Sequence, residues 1–119
     1  MSDAHLDSAV LATLRVVMED EYPVLLDTFL KDSEERVRLL HQACAVSDAY
    51  LLRQTAHSFK GSCSNMGAPL LTELCRELED SARREQLDGA NELIGQIERE
   101  FAIVRILMRA ERQRFGASG

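Results

Sequence analysis

Apolar positions recur along this chain at intervals of three and four, the period of an amphipathic helix, and no stretch sustains the alternation of a β-strand. Val10, Leu11, Leu14 and Val17 fall on one side of a short first helix from about Asp7 to Glu19. Pro23 suits the first turn of a second helix, where its missing N–H would have no partner anyway, and Leu26, Phe29 and Leu30 form that helix's apolar stripe. Asp32 and Glu35 have the spacing of a capping box, which predicts a break and a third helix carrying Val37, Leu40 and Cys44. Ser47 or Asp48 then caps a fourth helix that continues to about Met66. Gly67-Ala68-Pro69 reads as a stop followed by a start, and a fifth helix carries Leu71, Leu74, Cys75 and Leu78. Asp88-Gly89 marks the next turn. The last helix places Ala90, Ile94, Ile97, Phe101, Val104 and Met108 at alternating spacings of four and three, a seam suited to bundle packing. Only two prolines and six glycines interrupt the chain, so helix formers dominate throughout. The predicted class is all-α. Short connections favour antiparallel neighbours, hence an up-down bundle spanning 1–115 as one domain, with a flexible tail over 116–119.

Composition narrows the partners. The 119 residues are enough for one domain with a working core, and the 45% hydrophobic and 29% charged content is that of a soluble globular protein. A formal net charge of -6 repels nucleic-acid phosphates, and neither Arg83-Arg84 nor the arginines from Arg105 to Arg114 make an uninterrupted basic arm. No nucleic-acid partner is expected. No run of about 18 apolar residues predicts a membrane span, and Met1 to Asp7 lacks the charged and apolar regions of a secretion signal. Cys44, Cys63 and Cys75 lie at apolar helical positions without metal-type spacing, which predicts small buried hydrophobes in a reducing compartment rather than a zinc site. A cytoplasmic monomer is expected.

The chemistry concentrates in Ala56-His57-Ser58-Phe59-Lys60-Gly61-Ser62. At roughly 100° per residue, Leu52, Ala56, Phe59, Cys63 and Met66 share one face, which must pack into the core. Tyr50, Arg53, His57, Lys60, Gly61 and Ser64 share the opposite face. A histidine buried for packing does not fit that position. Gly61, one turn after His57, costs a helix about 1 kcal/mol relative to alanine; it gives another molecule close approach to the imidazole. Lys60, three residues on, lies within reach of a group attached to His57 and can balance phosphoryl oxygens. Imidazole ordinarily titrates near pH 6.5, so much of it is neutral and nucleophilic at pH 7. A neutral ring nitrogen can attack an aspartyl phosphate in line, a transfer that depends on positioning and on stabilising three equatorial oxygens. The aspartate and a Mg²⁺ ion would come from the partner, since the sequence offers no carboxylate cluster near His57.

This segment resembles the signature of the histidine-containing phosphotransfer (HPt) domain family: Ala-His, any residue, an apolar residue, Lys-Gly, then small residues. Met66-Gly67-Ala68 is similar to the family's helix end, and Leu74-Cys75-Arg76-Glu77-Leu78-Glu79 to its next helix. Upstream, Phe29, Leu40, Ala43, Asp48 and Leu52 fall at the expected intervals, so the motif match runs from about Leu26 to Glu79. The resemblance implies an antiparallel up-down four-helix bundle with one or two accessory helices. It implies that His57 accepts a phosphoryl group from the receiver domain of a hybrid sensor kinase and passes it to another receiver domain. On that reading Lys60 is the phosphate-side cation and Gly61 the clearance residue, and the family's usual reactive atom is Nε2. The protein would be a phosphocarrier rather than an enzyme, with no cofactor of its own and Mg²⁺ on the partner receiver. Cys63 stands where the family often has Ala, Ser or Gly, a core-side packing change. Arg53, Gln54 and Ser64 face the same way as His57 and are candidate partner contacts, or ordinary solvated positions. His5 and His41 lack such company and read as surface residues.

Other classes remain in view. A histidine kinase dimerisation helix pair also exposes a histidine, but follows it with an acidic residue and a Thr-Pro step; Ser58 and Gly61-Ser62 stand there instead. Such a kinase is also expected to need an ATP-binding domain, for which the chain leaves no length, and no nucleotide-binding glycine pattern is present. A helical metal or haem protein is disfavoured by the lack of paired ligands. The alternative that stays open is a non-transferring helical module that binds receiver domains.

Overall fold

A computed structural model describes residues 4–116. They form five α-helices: α1 (Ser8–Met18), α2 (Tyr22–Ala45), α3 (Ala49–Asn65), α4 (Pro69–Arg83) and α5 (Ala90–Gly116), with one 3₁₀ turn, Glu19–Glu21, between α1 and α2. Local chemistry sets most boundaries. Asp7 Oδ1 accepts from the Ala9 N–H at 3.0 Å and caps α1; Asp48 Oδ1 accepts from the Leu51 N–H at 3.0 Å and caps α3. Ser47, the other candidate cap, instead takes a left-handed backbone (φ +52°) in the connection. Pro23 and Pro69 sit in the first turns of α2 and α4.

The break expected at Asp32–Glu35 does not occur. α2 runs without interruption through Ala45, and its buried stripe of Leu26, Phe29, Leu30, Ser33, Val37, Leu40 and Ala43 keeps its period across the site. The capping-box spacing is also the spacing of neighbours on a helix surface, and Glu35 uses it that way: it accepts from Arg38 Nε at 2.9 Å. With no glycine or proline there to stop the helix, burial of the stripe decides. The six expected helices become five. At the other end α5 includes Gly116, and the rest of the tail expected over 116–119 lies outside the described residues.

Helices α2 to α5 form an antiparallel up-down four-helix bundle in which α2 packs on α3, α3 on α4, α4 on α5 and α5 back on α2. Across the bundle, Phe59 of α3 meets Phe101 of α5 edge to face, with ring centroids 6.3 Å apart. Leu26, Leu40, Leu52, Leu71, Leu78, Ile94, Ile97, Val104 and Met108 complete the core without solvent exposure. All six seam positions of the last helix are buried, as the period predicts.

α2 and α5, at 24 and 27 residues, outrun α3 and α4, at 17 and 15. The overhang needs a cover, and α1 supplies it. Arg15 lies over the Phe115 ring at 5.0 Å, and Tyr22 donates to Glu111 Oε2 at 2.6 Å. Burial, then the hydrogen bond and the charge of Glu111, push the Tyr22 hydroxyl up, so it remains a donor. The chain before α1 is tied to the α3–α4 turn by Asp7 N–H to Gly67 O (2.7 Å) and Leu70 N–H to Ala4 O (3.1 Å). His5 is therefore not the simple surface residue expected. It is half-buried, with Nδ1 2.7 Å from the buried Glu100 carboxylate. His41 is exposed, with Nε2 3.2 Å from Glu98. Cys63 and Cys75 are buried and Cys44 partly so; burial, reinforced by the neighbouring Cys75, pushes the Cys63 thiol up and leaves it inert.

Gly67 is the position where this arrangement demands glycine. Its φ is +72°, and a Cβ there would stand 2.8 Å from Val10 Cβ. Gly67→Ala is expected to cost about 2–4 kcal/mol, the sum of left-handed backbone strain and overpacking against α1. Urea unfolding checks it; a loss below about 0.5 kcal/mol would contradict the close approach.

Candidate functional site

The apolar face of α3 decides where its polar residues go. Leu52, Ala56, Phe59 and Cys63 are fully buried, which turns His57 outward at the middle of the helix, its side chain 68% exposed. Arg53, Gln54, Gly61 and Ser64 are exposed on the same side, and Lys60 is half-buried beside α4. Gln54 does not point free: its amide donates to the Tyr50 hydroxyl at 2.6 Å. A Cβ on Gly61 would meet nothing within 4 Å, so no neighbouring helix requires the glycine. The open space above Gly61 adjoins the imidazole.

The residue that sequence reasoning missed is Glu79. It projects from α4 between His57 and Lys60 of α3, with Oε2 2.7 Å from His57 Nδ1 and Oε1 2.7 Å from Lys60 Nζ. The first contact is an aligned hydrogen bond. The second is an ion pair outside hydrogen-bond angles, on an oxygen shut off from solvent. Burial would push the Glu79 carboxyl up; the contacts from Lys60 and then His57 outweigh it and hold the group below the usual carboxylate range. An ionised carboxylate only accepts hydrogen bonds. Nδ1 must therefore carry the ring hydrogen, and the Nε2 lone pair is left for another group. One available signal could have found Glu79. His57 lies ten residues before Gly67 and Glu79 twelve after it, so counting outward from the hairpin turn places them near one level of two antiparallel helices.

Four other charged side chains of α4 pair with one another. Arg76 pairs with Glu73 and Asp80, and Arg83 with Asp80. Shallow depressions flank His57 along α3, one lined by Tyr50, Arg53, Ala82 and Arg83, the other by Asp7, Val10, Ser64, Gly67 and Thr72. The ring stands between them, open to solvent.

Comparison with known proteins identifies the family. Residues 24–106 match the family described as the Hpt domain. The chain belongs to that family, whose members are phosphocarriers. It is 67% identical to histidine-containing phosphotransfer protein B (HptB) from Pseudomonas aeruginosa PAO1, whose crystal structure superimposes with a TM-score of 0.91 over 92% of this chain and 96% of that one. It is also 28% identical over 81 residues to the phosphorelay protein LuxU of Vibrio vulnificus strains YJ016 and CMCP6, a match that covers 67% of this chain and 70% of each relative.

Two outcomes follow from the site. Because the Glu79 carboxyl is held low in the folded state, its contribution to stability is full above the ordinary value of 4.5 and is lost as pH falls through the lower folded value. The stability gap between the wild type and Glu79→Gln, measured by urea unfolding from pH 5.5 to 3, should therefore close with falling pH; a gap that widens contradicts the assignment. Gly61→Gln should leave the melting temperature unchanged or slightly raised, since nothing crowds the new side chain, and should slow phosphoryl transfer at least tenfold, about 1.4 kcal/mol in the barrier. Unchanged transfer would remove the clearance role.

Proposed function

We propose that this protein is a phosphorelay intermediate that carries a phosphoryl group on His57 Nε2 between the aspartates of two receiver domains. The relay role follows from family membership. The donor, a hybrid sensor kinase receiver, and the acceptor, a response regulator receiver, are the partners that suit an exposed nucleophile with no acyl-phosphate site of its own. The observation that carries the residue assignment is the 2.7 Å contact from Glu79 to His57 Nδ1, which leaves Nε2 as the nucleophilic nitrogen on the exposed side of α3.

In the forward step the Nε2 lone pair attacks phosphorus in line as the bond to the aspartyl oxygen breaks. Positioning and charge are what the protein must supply. α3 holds the ring, Gly61 leaves room for the receiver's surface, and Lys60 offers its ammonium to the phosphoryl oxygens. Arg53, Gln54 and Ser64 lie where a docked receiver would reach. The Mg²⁺ that neutralises the acyl phosphate belongs to the receiver. No ATP chemistry is assigned to this chain. The relay works as a cytoplasmic monomer, through a modest interface that releases each partner. That proposal suits the described residues, in which no helix is long and apolar enough to cross a membrane, and an acidic chain with no uninterrupted basic arm for nucleic acid.

The test is phosphoryl transfer from a panel of phosphorylated receiver domains to the wild type and to His57→Ala. The variant should keep its helical circular dichroism, because the side chain is 68% exposed, and should take up no label. Label on both proteins would move the phosphoacceptor elsewhere. Binding without label on either would make the protein a non-transferring receiver-binding module.

A further inference from the structure

The contact between Glu79 and Nδ1 has a chemical role after the phosphoryl group arrives. When the Nε2 lone pair forms the N–P bond, the electron pair of the breaking P–O bond leaves with the donor aspartate, which ends ionised. The hydrogen on Nδ1 is not consumed, so the phosphorylated ring carries a positive charge. In the onward step the N–P electron pair returns to the ring. With the Nδ1 hydrogen in place, the ring departs as neutral imidazole. If solvent base has removed that hydrogen first, the ring must depart as imidazolate, a far poorer leaving group. The acid lability and alkali stability of phosphohistidine follow from the same difference.

We propose that the Glu79 carboxylate keeps the hydrogen on His57 Nδ1 once Nε2 is phosphorylated, and so keeps the phosphoryl group in its transferable form. Glu79 is a positioning residue in this role: it acts on the phosphoryl group through the ring. The geometry suits the task. Oε2 is 2.7 Å from Nδ1, the Glu79 side chain is only 12% exposed, and it is anchored on a different helix from the one it serves. A hydrogen bond from a cationic ring to a carboxylate is of the strong, charge-assisted kind. Lys60 is the counterweight. Its ammonium is 2.7 Å from Oε1 in the unphosphorylated protein, and three residues from His57 on the same helix it can also reach phosphoryl oxygens on Nε2. It therefore sits between two anions and limits their repulsion.

The other charged groups on the two helices that form the site are Arg53 on α3 and Glu73, Arg76, Glu77, Asp80 and Arg83 on α4. Glu73, Arg76, Asp80 and Arg83 pair among themselves, Glu77 is exposed, and Glu79 is the carboxylate bonded to the ring.

The inference rests on His57 being the phosphoacceptor, and its test separates the two. Wild type and Glu79→Gln are phosphorylated with potassium phosphoramidate, a small donor that needs no receiver, and loss of label is followed from pH 5 to 10. The glutamine amide oxygen can still accept from Nδ1, but without charge. Label should be lost at rates within about twofold of each other at low pH, where the ring is protonated in both. The alkaline slowing of Glu79→Gln should begin about one pH unit earlier, making its loss about tenfold slower than wild type near pH 9. Superimposable profiles, or a uniform change at every pH, overturn the proposal and leave His57 as phosphoacceptor. Failure of the wild type to take label overturns both. If Glu79→Gln does not fold, ¹⁵N-histidine in the phosphorylated wild type carries the test: its Nδ1 should stay protonated about one pH unit above that of free phosphohistidine, and coincidence of the two overturns the proposal.

Discussion

The packing of α3 against α4 across the Gly67 turn is the constraint on which the site depends. The turn needs a left-handed residue and close approach to Val10 of α1, and only glycine satisfies both. Once the turn is set, burial of Leu52, Ala56, Phe59 and Cys63 against Leu71, Cys75 and Leu78 fixes the rotation of both helices. That rotation sends His57 outward and brings Glu79 under its ring. A slip of one residue in α3 would move His57 by roughly 100° around the helix and break both contacts to Glu79. The His57 side chain is on the surface, but its orientation is specified by the core.

The site shows a division of labour between helix faces. His57 is open to solvent while its partner carboxylate is nearly closed off, so one side of the imidazole meets a fixed charge and the other meets whatever docks. An exposed nucleophile on a convex helix is easily approached but poorly oriented. The Glu79 contact corrects the second property without harming the first. Lys60 has the same double character, half-buried and paired with the same carboxylate.

Much of this was legible in the sequence, for local reasons. Helix starts and stops were written in Asp7, Asp48, Pro23, Gly67 and Pro69, and the core face of α3 followed from period alone. What misled was ambiguity of local signals. Asp32 and Glu35 have a spacing that fits either a cap or a surface pair, and the continuous apolar stripe of α2 decided for the pair. What escaped was tertiary. Glu79 borders the core stripe of α4 and looks like any solvated glutamate until the hairpin is folded. His5 escaped in the same way, since its bond to Glu100 spans 95 positions of chain.

The central claim is that the phosphoryl group resides on His57 Nε2, with the ring hydrogen held on Nδ1. The most direct measurement is one-bond coupling between ³¹P and ¹⁵N in phosphorylated protein labelled with ¹⁵N-histidine. Coupling to Nε2 of a single histidine, lost in His57→Ala, is the predicted result. Coupling to Nδ1, or to His5 or His41, would contradict the account.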